Sequence, residues 1–190
     1  MEYEKLLKIP KLQNKLFCDD KNFLHEMQNY LGIPIYIYGS ILRSDYFPDK
    51  SDIDVAIFAN DTMTVINKLV IFLGINRSKI KVFKLETNKE NKIMYGFKTN
   101  YILNIPRKNL FFETCKRFEI SIYNIKDKDY LINYNIKELK PSFIKAVQIF
   151  ILKYLYYYIY LDHKYYKMIK ERIFNTMKEY HNKITIIASL

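Results

Sequence analysis

Apolar and polar positions alternate along the first part of the chain with the period of a helix and then with that of a strand. Residues 20–31 place five apolar side chains on one helical face, with Gly32 as the stop. These side chains are Phe23, Leu24, Met27, Tyr30 and Leu31. The β-branched and aromatic run 33–38 follows and predicts a strand that ends at Gly39. A helix is therefore expected to lead into the first strand.

The middle of the chain continues with strand and helix patterns. Residues 53–57 alternate in the manner of a strand, and a helix is predicted from Asp61 or Thr62 to about Leu73, with Gly74 as its terminator. Residues 79–86 and 92–98 predict a hairpin around the polar break 88–91, and residues 117–123 predict a further strand.

The pattern changes after Asp127. A helix is predicted from Pro141 and Ser142 to about Leu161, and Asp162 can cap a second helix from about Lys164 to Tyr180. We expect an α+β fold: a mixed or antiparallel sheet, flanking helices and a C-terminal helical hairpin. The expected division is residues 1–130 as one domain and 131–190 as a helical extension, unless both form one compact unit.

The run 143–161 is the one stretch apolar enough to suggest a membrane span. It contains Lys145, Gln148 and Lys153, whose polar groups would be costly in lipid, so we interpret it as a buried helix and expect no membrane partner. The N-terminus lacks the apolar core of a signal peptide. Two cysteines, Cys18 and Cys115, form neither a disulfide framework nor a zinc spacing, which favours a reducing, cytoplasmic compartment.

Charge adds a partner class to this picture. The 31 Lys and Arg residues outnumber the 20 Asp and Glu residues, and the formal charge of +11 favours a polyanionic partner such as nucleic acid. Abundant Lys, Asn, Ile and Tyr would also follow from an AT-rich coding sequence, which is the alternative explanation. We favour nucleic acid, RNA more than DNA, because the chemistry described next belongs with it.

The chemistry lies between residues 39 and 55. Gly39 and Ser40 form a turn after the first strand, where backbone amides can approach a phosphate closely because glycine carries no Cβ. Asp52 and Asp54 point to one face of the following strand, and two neighbouring carboxylates repel unless a cation lies between them. Mg²⁺, or Mn²⁺ in its place, suits such oxygen ligands together with substrate phosphates.

This Gly-Ser turn followed by Asp-Ile-Asp-Val resembles the signature of the polymerase-beta-type nucleotidyltransferase superfamily, and in detail that of its minimal nucleotidyltransferases. The resemblance implies that Asp52 and Asp54 bind metal and that Gly39 and Ser40 bind the triphosphate of an NTP. It also implies a third acid on a neighbouring strand. Glu119, between Phe118 and Ile120, is preferred over Glu86, at the end of the predicted hairpin strand.

Other residues near the motif have weaker claims. Arg43 could hold a β- or γ-phosphate or be a solvated loop arginine, and Ser51 is a further nucleotide-binding candidate. Asp45 and Asp49 are interpreted as turn or cap residues. The tyrosines of residues 154–160 are expected mostly in the core, with base stacking as the alternative. Lys164, Lys167, Lys170 and Arg172 form either a solvated face or a track for the acceptor.

The resulting hypothesis is a Mg²⁺-dependent nucleotidyltransferase. It would move a nucleoside monophosphate from ATP or another NTP to an acceptor hydroxyl, with a nucleic-acid 3′ end preferred, and would release pyrophosphate. One alternative is transfer to a protein hydroxyl (AMPylation), as in antitoxin-type minimal nucleotidyltransferases. The other is an inactive subunit that uses the same fold for binding.

Overall fold

A computed structural model describes the chain apart from residues 49, 88–91, 109–112, 139–141, 177–181 and 190. Several positions named above, Asp49, the polar break 88–91, Pro141 and Tyr180, lie outside the described residues. The described strands are β1 (Ile35–Tyr38), β2 (Ile53–Ala59), β3 (Lys81–Thr87), β4 (Lys92–Lys108), β5 (Glu113–Asn124) and β6 (Asn182–Ser189). The described α-helices are α1 (Tyr3–Leu7), α2 (Pro10–Gln13), α3 (Cys18–Leu31), α4 (Thr62–Leu73), α5 (Lys128–Glu138), α6 (Phe143–Tyr158) and α7 (His163–Thr176).

The described strands form one mixed sheet in the order β1-β2-β5-β4-β3-β6. β2 runs parallel to β5, with Asp54 opposite Glu119, and every other neighbouring pair is antiparallel. The parallel pair places β5 beside the Asp-x-Asp strand, although α4 and the β3–β4 hairpin intervene in sequence. The predicted α+β fold with a mixed sheet and flanking helices is confirmed.

The two faces of the sheet bury different kinds of side chain. On one face Ile53, Val55 and Ile57 are fully buried and pack with the apolar stripes of α3 and α4. On the other face Ala56 and Phe58 pack with Tyr36, Tyr123 and Leu131 of α5. Because strand side chains alternate between faces, Asp54 shares this second face. The alternation that predicted the strand therefore also separates its acids from the main core.

The predicted helix signals operate as expected. α3 ends where Gly32 takes the left-handed conformation (φ 70°), and α4 ends at Gly74 in the same way (φ 60°). At the start of α4 the Asp61 carboxylate accepts the amides of Met63 and Thr64 at 3.0 and 3.1 Å. These two helices cover the sheet face opposite Asp54 and hold β2 in place.

The predicted C-terminal hairpin is confirmed, with a shorter first helix. α6 ends at Tyr158 and not at Leu161, because the chain turns at Tyr160, which has a positive φ of 60°. The rings of Tyr156 and Tyr166 stack at 4.1 Å between α6 and α7. Among the described residues, no helix combines the length and the apolarity needed to cross a lipid bilayer. Cys18 and Cys115 are both free and exposed.

Some elements were not predicted. β6, within the stretch expected to be helical, pairs antiparallel with β3 over Lys81–Thr87. Because β3 is distant in sequence, no local pattern indicated that residues 182–189 would pair with it. α1, α2 and α5 were also missed, because α1 and α2 are very short and α5 lacks a clear apolar stripe. The domain division stays a prediction.

The aromatic cluster between α3 and the sheet provides a test of the packing. Phe23 is 7% exposed and its ring lies 4.5 Å from Phe118 and 5.3 Å from Tyr101. Phe23→Ala should lower the free energy of unfolding by about 3–5 kcal/mol because it leaves a cavity beside β5. Tyr30→Ala, on the same helix but 45% exposed, should cost under about 1 kcal/mol. Urea denaturation of both variants measures the difference, and equal losses would contradict this packing.

Candidate active site

The turn after β1 brings the backbone directly against an acid of β2. Gly39 has a φ of 74° and begins a short 3₁₀-helix, Gly39–Leu42. A Cβ at this position would lie 1.9 Å from Oδ2 of Asp54. Only glycine therefore fits here, for its conformation and for its lack of a side chain. The predicted turn and the second acid of the motif are in contact.

Asp54 carries the strongest electrostatic signal of the site. The pKa of its carboxyl is raised to about 7, mostly by burial and also by the negative charges of Glu119 and Asp52. Asp52, just before β2, has a pKa raised by burial, while Arg117, whose Nη1 lies 4.0 Å from Oδ2, acts in the opposite direction. The two acids of the motif and Glu119 thus lie close enough to influence one another.

The structure separates the two candidates for the third acid. Glu119 on β5 is the register partner of Asp54. Glu86 lies on β3, beyond β5 and β4, where it pairs with Lys84 at 2.6 Å. The geometry therefore favours Glu119, as the sequence pattern did, while its role stays a prediction.

The assignment of Asp52, Asp54 and Glu119 together as metal ligands stays a prediction. In the described part of the chain, no three His, Cys, Asp or Glu side chains converge closely enough to hold a metal ion together. The reason is the pairing of the outer two acids: Glu119 Oε1 lies 2.6 Å from Lys98 Nζ, and Asp52 lies toward Arg117. The three acids are neighbours, but they do not form a three-carboxylate cage.

The donor set still fits a divalent cation. Mg²⁺ is usually held by one or two carboxylates and completed by water and substrate phosphates, so Asp52 and Asp54 suffice on the protein side. Burial and the neighbouring acids raise the pKa of Asp54, so its negatively charged form is disfavoured unless a further positive charge lies beside it. A cation of two charges beside it would supply that charge.

The loop between the turn and β2 is held by lysines from three other parts of the chain. Lys15, after α2, donates to the carbonyls of Ile41 and Arg43. Lys116 of β5 donates to the Tyr46 hydroxyl at 2.6 Å and to two loop carbonyls, and it is 2% exposed. Lys153 of α6 donates to the carbonyl of Asp45 at 2.9 Å. These ammonium groups replace the strand partners that loop carbonyls lack.

Two predicted phosphate ligands have other partners. Arg43 forms a two-point ion pair with Asp45, at 2.7 and 3.1 Å, and its side chain is 11% exposed. It is therefore not a solvated loop arginine, and its role as a phosphate ligand stays a prediction. Ser51 is buried, and its hydroxyl accepts the amide of Phe47 at 3.2 Å, which closes the loop.

Asp45 lies in a turn, as predicted, but its carboxylate is also part of a buried ion-pair network. It is 1% exposed and pairs with Lys153 at 2.9 Å as well as with Arg43. Burial alone would raise the pKa of Asp45, but the two cations outweigh it and lower the pKa to about 2. Lys153, which seemed merely tolerated in an apolar helix, is the cation that joins α6 to the motif loop.

The tertiary structure adds basic residues that the sequence pattern did not single out. Lys98, Arg117 and Lys170 come from β4, β5 and α7, and the charge of Lys170 acts on both Asp52 and Asp54. The sequence pattern placed Lys170 in one basic group with Lys164, Lys167 and Arg172. In the structure these three residues are exposed, whereas Lys170 is partly buried. No local signal in the sequence indicated that Lys98 would meet Glu119.

The tyrosines of the hairpin divide between two environments. The ring of Tyr157 packs edge-on against Phe47 at 5.6 Å and Tyr156 stacks on α7, so these two pack as expected. Tyr154, Tyr158 and Tyr160 are 47%, 48% and 75% exposed, contrary to the expected core position. Tyr158 still lies 6.1 Å from Phe47 of the motif loop, and Tyr160 follows the end of α6.

A family model for the nucleotidyltransferase domain matches residues 21–179. The chain belongs to this nucleotidyltransferase family. The match extends the resemblance of the short motif from α3 to the end of α7 and is consistent with the polymerase-beta-type superfamily. Comparisons with curated proteins and with solved structures give no match. In this nucleotidyltransferase domain the motif, strands β1 to β5 and the helical hairpin fall within the family match, whereas β6 lies after it.

Gly39 and Gly32 allow a controlled test of the turn. Both have a left-handed φ, 74° and 70°, but a Cβ at Gly32 has nothing within 4 Å. Gly32→Ala should cost about 1–2 kcal/mol from backbone strain alone. Gly39→Ala should cost about 1–3 kcal/mol more, because the methyl group overlaps the Asp54 carboxylate. Urea denaturation compares the two, and equal losses would contradict the contact between turn and acid.

The buried Asp45 pair predicts a pH dependence of stability. Since the folded pKa is about 2, below the value in the unfolded chain, this stabilisation is present above pH ~4 and lost as the pH falls toward 2. Asp45→Asn should cost about 3–5 kcal/mol at pH 7, because Lys153 stays buried without its counter-charge, and should flatten this part of the profile.

The matched control for Asp45 is Asp127→Asn. Asp127 is also buried, but it pairs at 3.2 Å with Lys92, whose side chain is 34% exposed. Loss of the Asp127 charge should lower the free energy of unfolding by about 1 kcal/mol or less, because water can solvate the Lys92 ammonium. Chemical denaturation at pH 7, 4 and 2.5 measures both variants. An unchanged pH profile for Asp45→Asn would refute the assignment.

Proposed function

We propose that this domain transfers a nucleoside monophosphate from an NTP to the 3′ hydroxyl of a nucleic acid, RNA more than DNA, with Mg²⁺ as cofactor. The observation that carries the proposal is the contact between the Gly39 turn and Asp54. It combines a backbone that a phosphate can approach closely with an acid whose charge the protein leaves unbalanced. A nucleotide bound with a divalent cation supplies both missing partners.

The residues divide the work between binding and positioning. Asp52 and Asp54 would hold the cation, and the backbone at Gly39 and Ser40 would hold the triphosphate. When bound, such an ion neutralises charge on the phosphates and stabilises the leaving pyrophosphate. Arg117 and Lys170, whose charges already act on the acids, would donate hydrogen bonds to phosphate oxygens.

The reaction needs one bond formed and one broken. The acceptor oxygen attacks the α-phosphorus, and the bond from that phosphorus to the pyrophosphate oxygen breaks. The hydroxyl proton passes to the Glu119 carboxylate or to water. Since the protein forms no covalent bond in this scheme, its contribution is to orient the two substrates and to balance charge.

The choice of a nucleic-acid acceptor rests on charge. The chain carries a formal charge of +11, and Lys164, Lys167 and Arg172 are exposed on α7, the helix that brings Lys170 to the acids. A basic helix leading to the site suits a phosphate backbone whose 3′ end enters the cleft. Exposed tyrosines of α6 offer flat surfaces for unpaired bases.

The experiment supplies α-labelled NTPs and Mg²⁺ to the purified protein with three acceptors: a single-stranded RNA, the same sequence as DNA, and a mixture of purified proteins. Label is expected on RNA and is expected to disappear when the RNA ends in a 3′-deoxy nucleotide. Label on protein would instead support transfer to a side-chain hydroxyl. Nucleotide binding without transfer to any acceptor would support an inactive binding subunit.

Substitutions test the metal assignment within the same assay. Asp52→Asn and Asp54→Asn each keep the size of the side chain but lose the charge, so each should lower transfer at least about a hundredfold. Asp61→Asn, at the exposed cap of α4, is the control and should leave transfer unchanged. Full activity in either motif variant, with folding confirmed by circular dichroism, would overturn the proposal.

A further inference from the structure

Lys98 and Glu119 form an ion pair inside the candidate site. Lys98 lies on β4 and Glu119 on β5, with Nζ 2.6 Å from Oε1, and their side chains are 25% and 28% exposed. The register pairs Lys98 with Ser121 and Asn100 with Glu119. Lys98 is therefore a diagonal neighbour of Glu119, a spacing at which long side chains on one sheet face meet. The sheet itself builds this contact.

The position of this pair matters because Glu119 is the register partner of Asp54. The Glu119 carboxylate already has a cationic partner within the protein, the Lys98 ammonium. Among the described residues the acids do not assemble a three-ligand metal set, and the ion pair with Lys98 gives a physical reason. A metal ion and the Lys98 ammonium would therefore compete for the same carboxylate.

We propose that Lys98 is a positioning residue that keeps Glu119 from the cation site, so that a divalent ion binds first through Asp52 and Asp54 alone. Glu119 joins them when the ion pair opens, and the phosphates of a bound nucleotide offer the released ammonium new oxygen acceptors. This inference rests on the proposed function, because it takes these acids as the cation site. It makes the third acid a conditional ligand and not a permanent one.

Removing the ammonium should strengthen cation binding in two ways. Glu119 becomes available without the loss of an ion pair, and one positive charge near the site disappears. Because the pair is partly exposed, the expected gain in Mn²⁺ affinity is modest, about threefold to tenfold. Lys98→Arg keeps the charge and should retain the affinity of the unmodified protein.

The chain offers a matched control. Lys84 and Glu86 form a second ion pair of 2.6 Å, with side chains 28% and 39% exposed, on a strand two positions from β5. Lys84→Met therefore removes the same charge from a similar pair outside the site. It should leave Mn²⁺ affinity within about twofold, since interactions between exposed charges at this separation are largely screened.

The test measures free Mn²⁺ by electron paramagnetic resonance during titration of the full chain without nucleotide. The variants are Lys98→Met, Lys98→Gln, Lys98→Arg and Lys84→Met, together with Glu119→Gln alone and combined with Lys98→Met. The gain is expected in Lys98→Met and Lys98→Gln and should largely vanish when Glu119→Gln is added. Thermal unfolding shows that each variant is folded at the titration temperature.

The outcomes separate this inference from the proposed function. Equal Mn²⁺ affinity in the unmodified protein, Lys98→Met and Lys98→Gln would overturn the role of Lys98 alone. A gain of the same size in the Glu119→Gln background would also overturn it, because the ammonium would then act only through its charge and not through Glu119. No Mn²⁺ binding in any variant would overturn the proposed cation site and this inference together.

Discussion

The ionisation of Asp54 is the constraint on which the arrangement of the site depends. Its carboxylate is packed against the Gly39 turn, and both burial and two neighbouring acids oppose its charge. The positive charges of Lys170 and Arg43 act in the other direction without removing this opposition, and Arg43 is itself paired with Asp45. The Asp54 carboxylate thus lacks a full counter-charge beside Gly39, where the backbone carries no side chain. This combination suits a ligand that carries its own cation.

The loop that forms the site keeps its shape through hydrogen bonds from lysines. A loop between two strands has carbonyl oxygens without ladder partners, and burying them unpaired would be costly. Lys15, Lys116 and Lys153 donate to these oxygens from separate parts of the chain. Part of the basic excess is therefore used inside the protein, and only the remainder is a surface that could attract nucleic acid. The exposed residues of α7 belong to that remainder.

The helical hairpin is joined to the site and is more than an appended structure. Lys153 pairs with Asp45, Tyr157 packs against Phe47, and the charge of Lys170 acts on the motif acids. The first two contacts join α6 directly to the motif loop. Asp45 is the centre of this junction, because it pairs with Arg43 of the loop as well as with Lys153.

Local sequence determined the features that depend on near neighbours. Alternating residues set the faces of β2, glycines ended α3 and α4, and the spacing of Gly39, Ser40, Asp52 and Asp54 indicated the family. Tertiary structure alone decided how distant segments meet. It placed β5 parallel to β2, so that Glu119 and not Glu86 lies beside Asp54, and it added β6 to the sheet. It also gave Asp45, Lys116 and Lys98 their partners. The physical reason is that periodicity and turn propensity act over a few residues, whereas the pairing of a charge is chosen only when the folded chain brings its partner within hydrogen-bond distance.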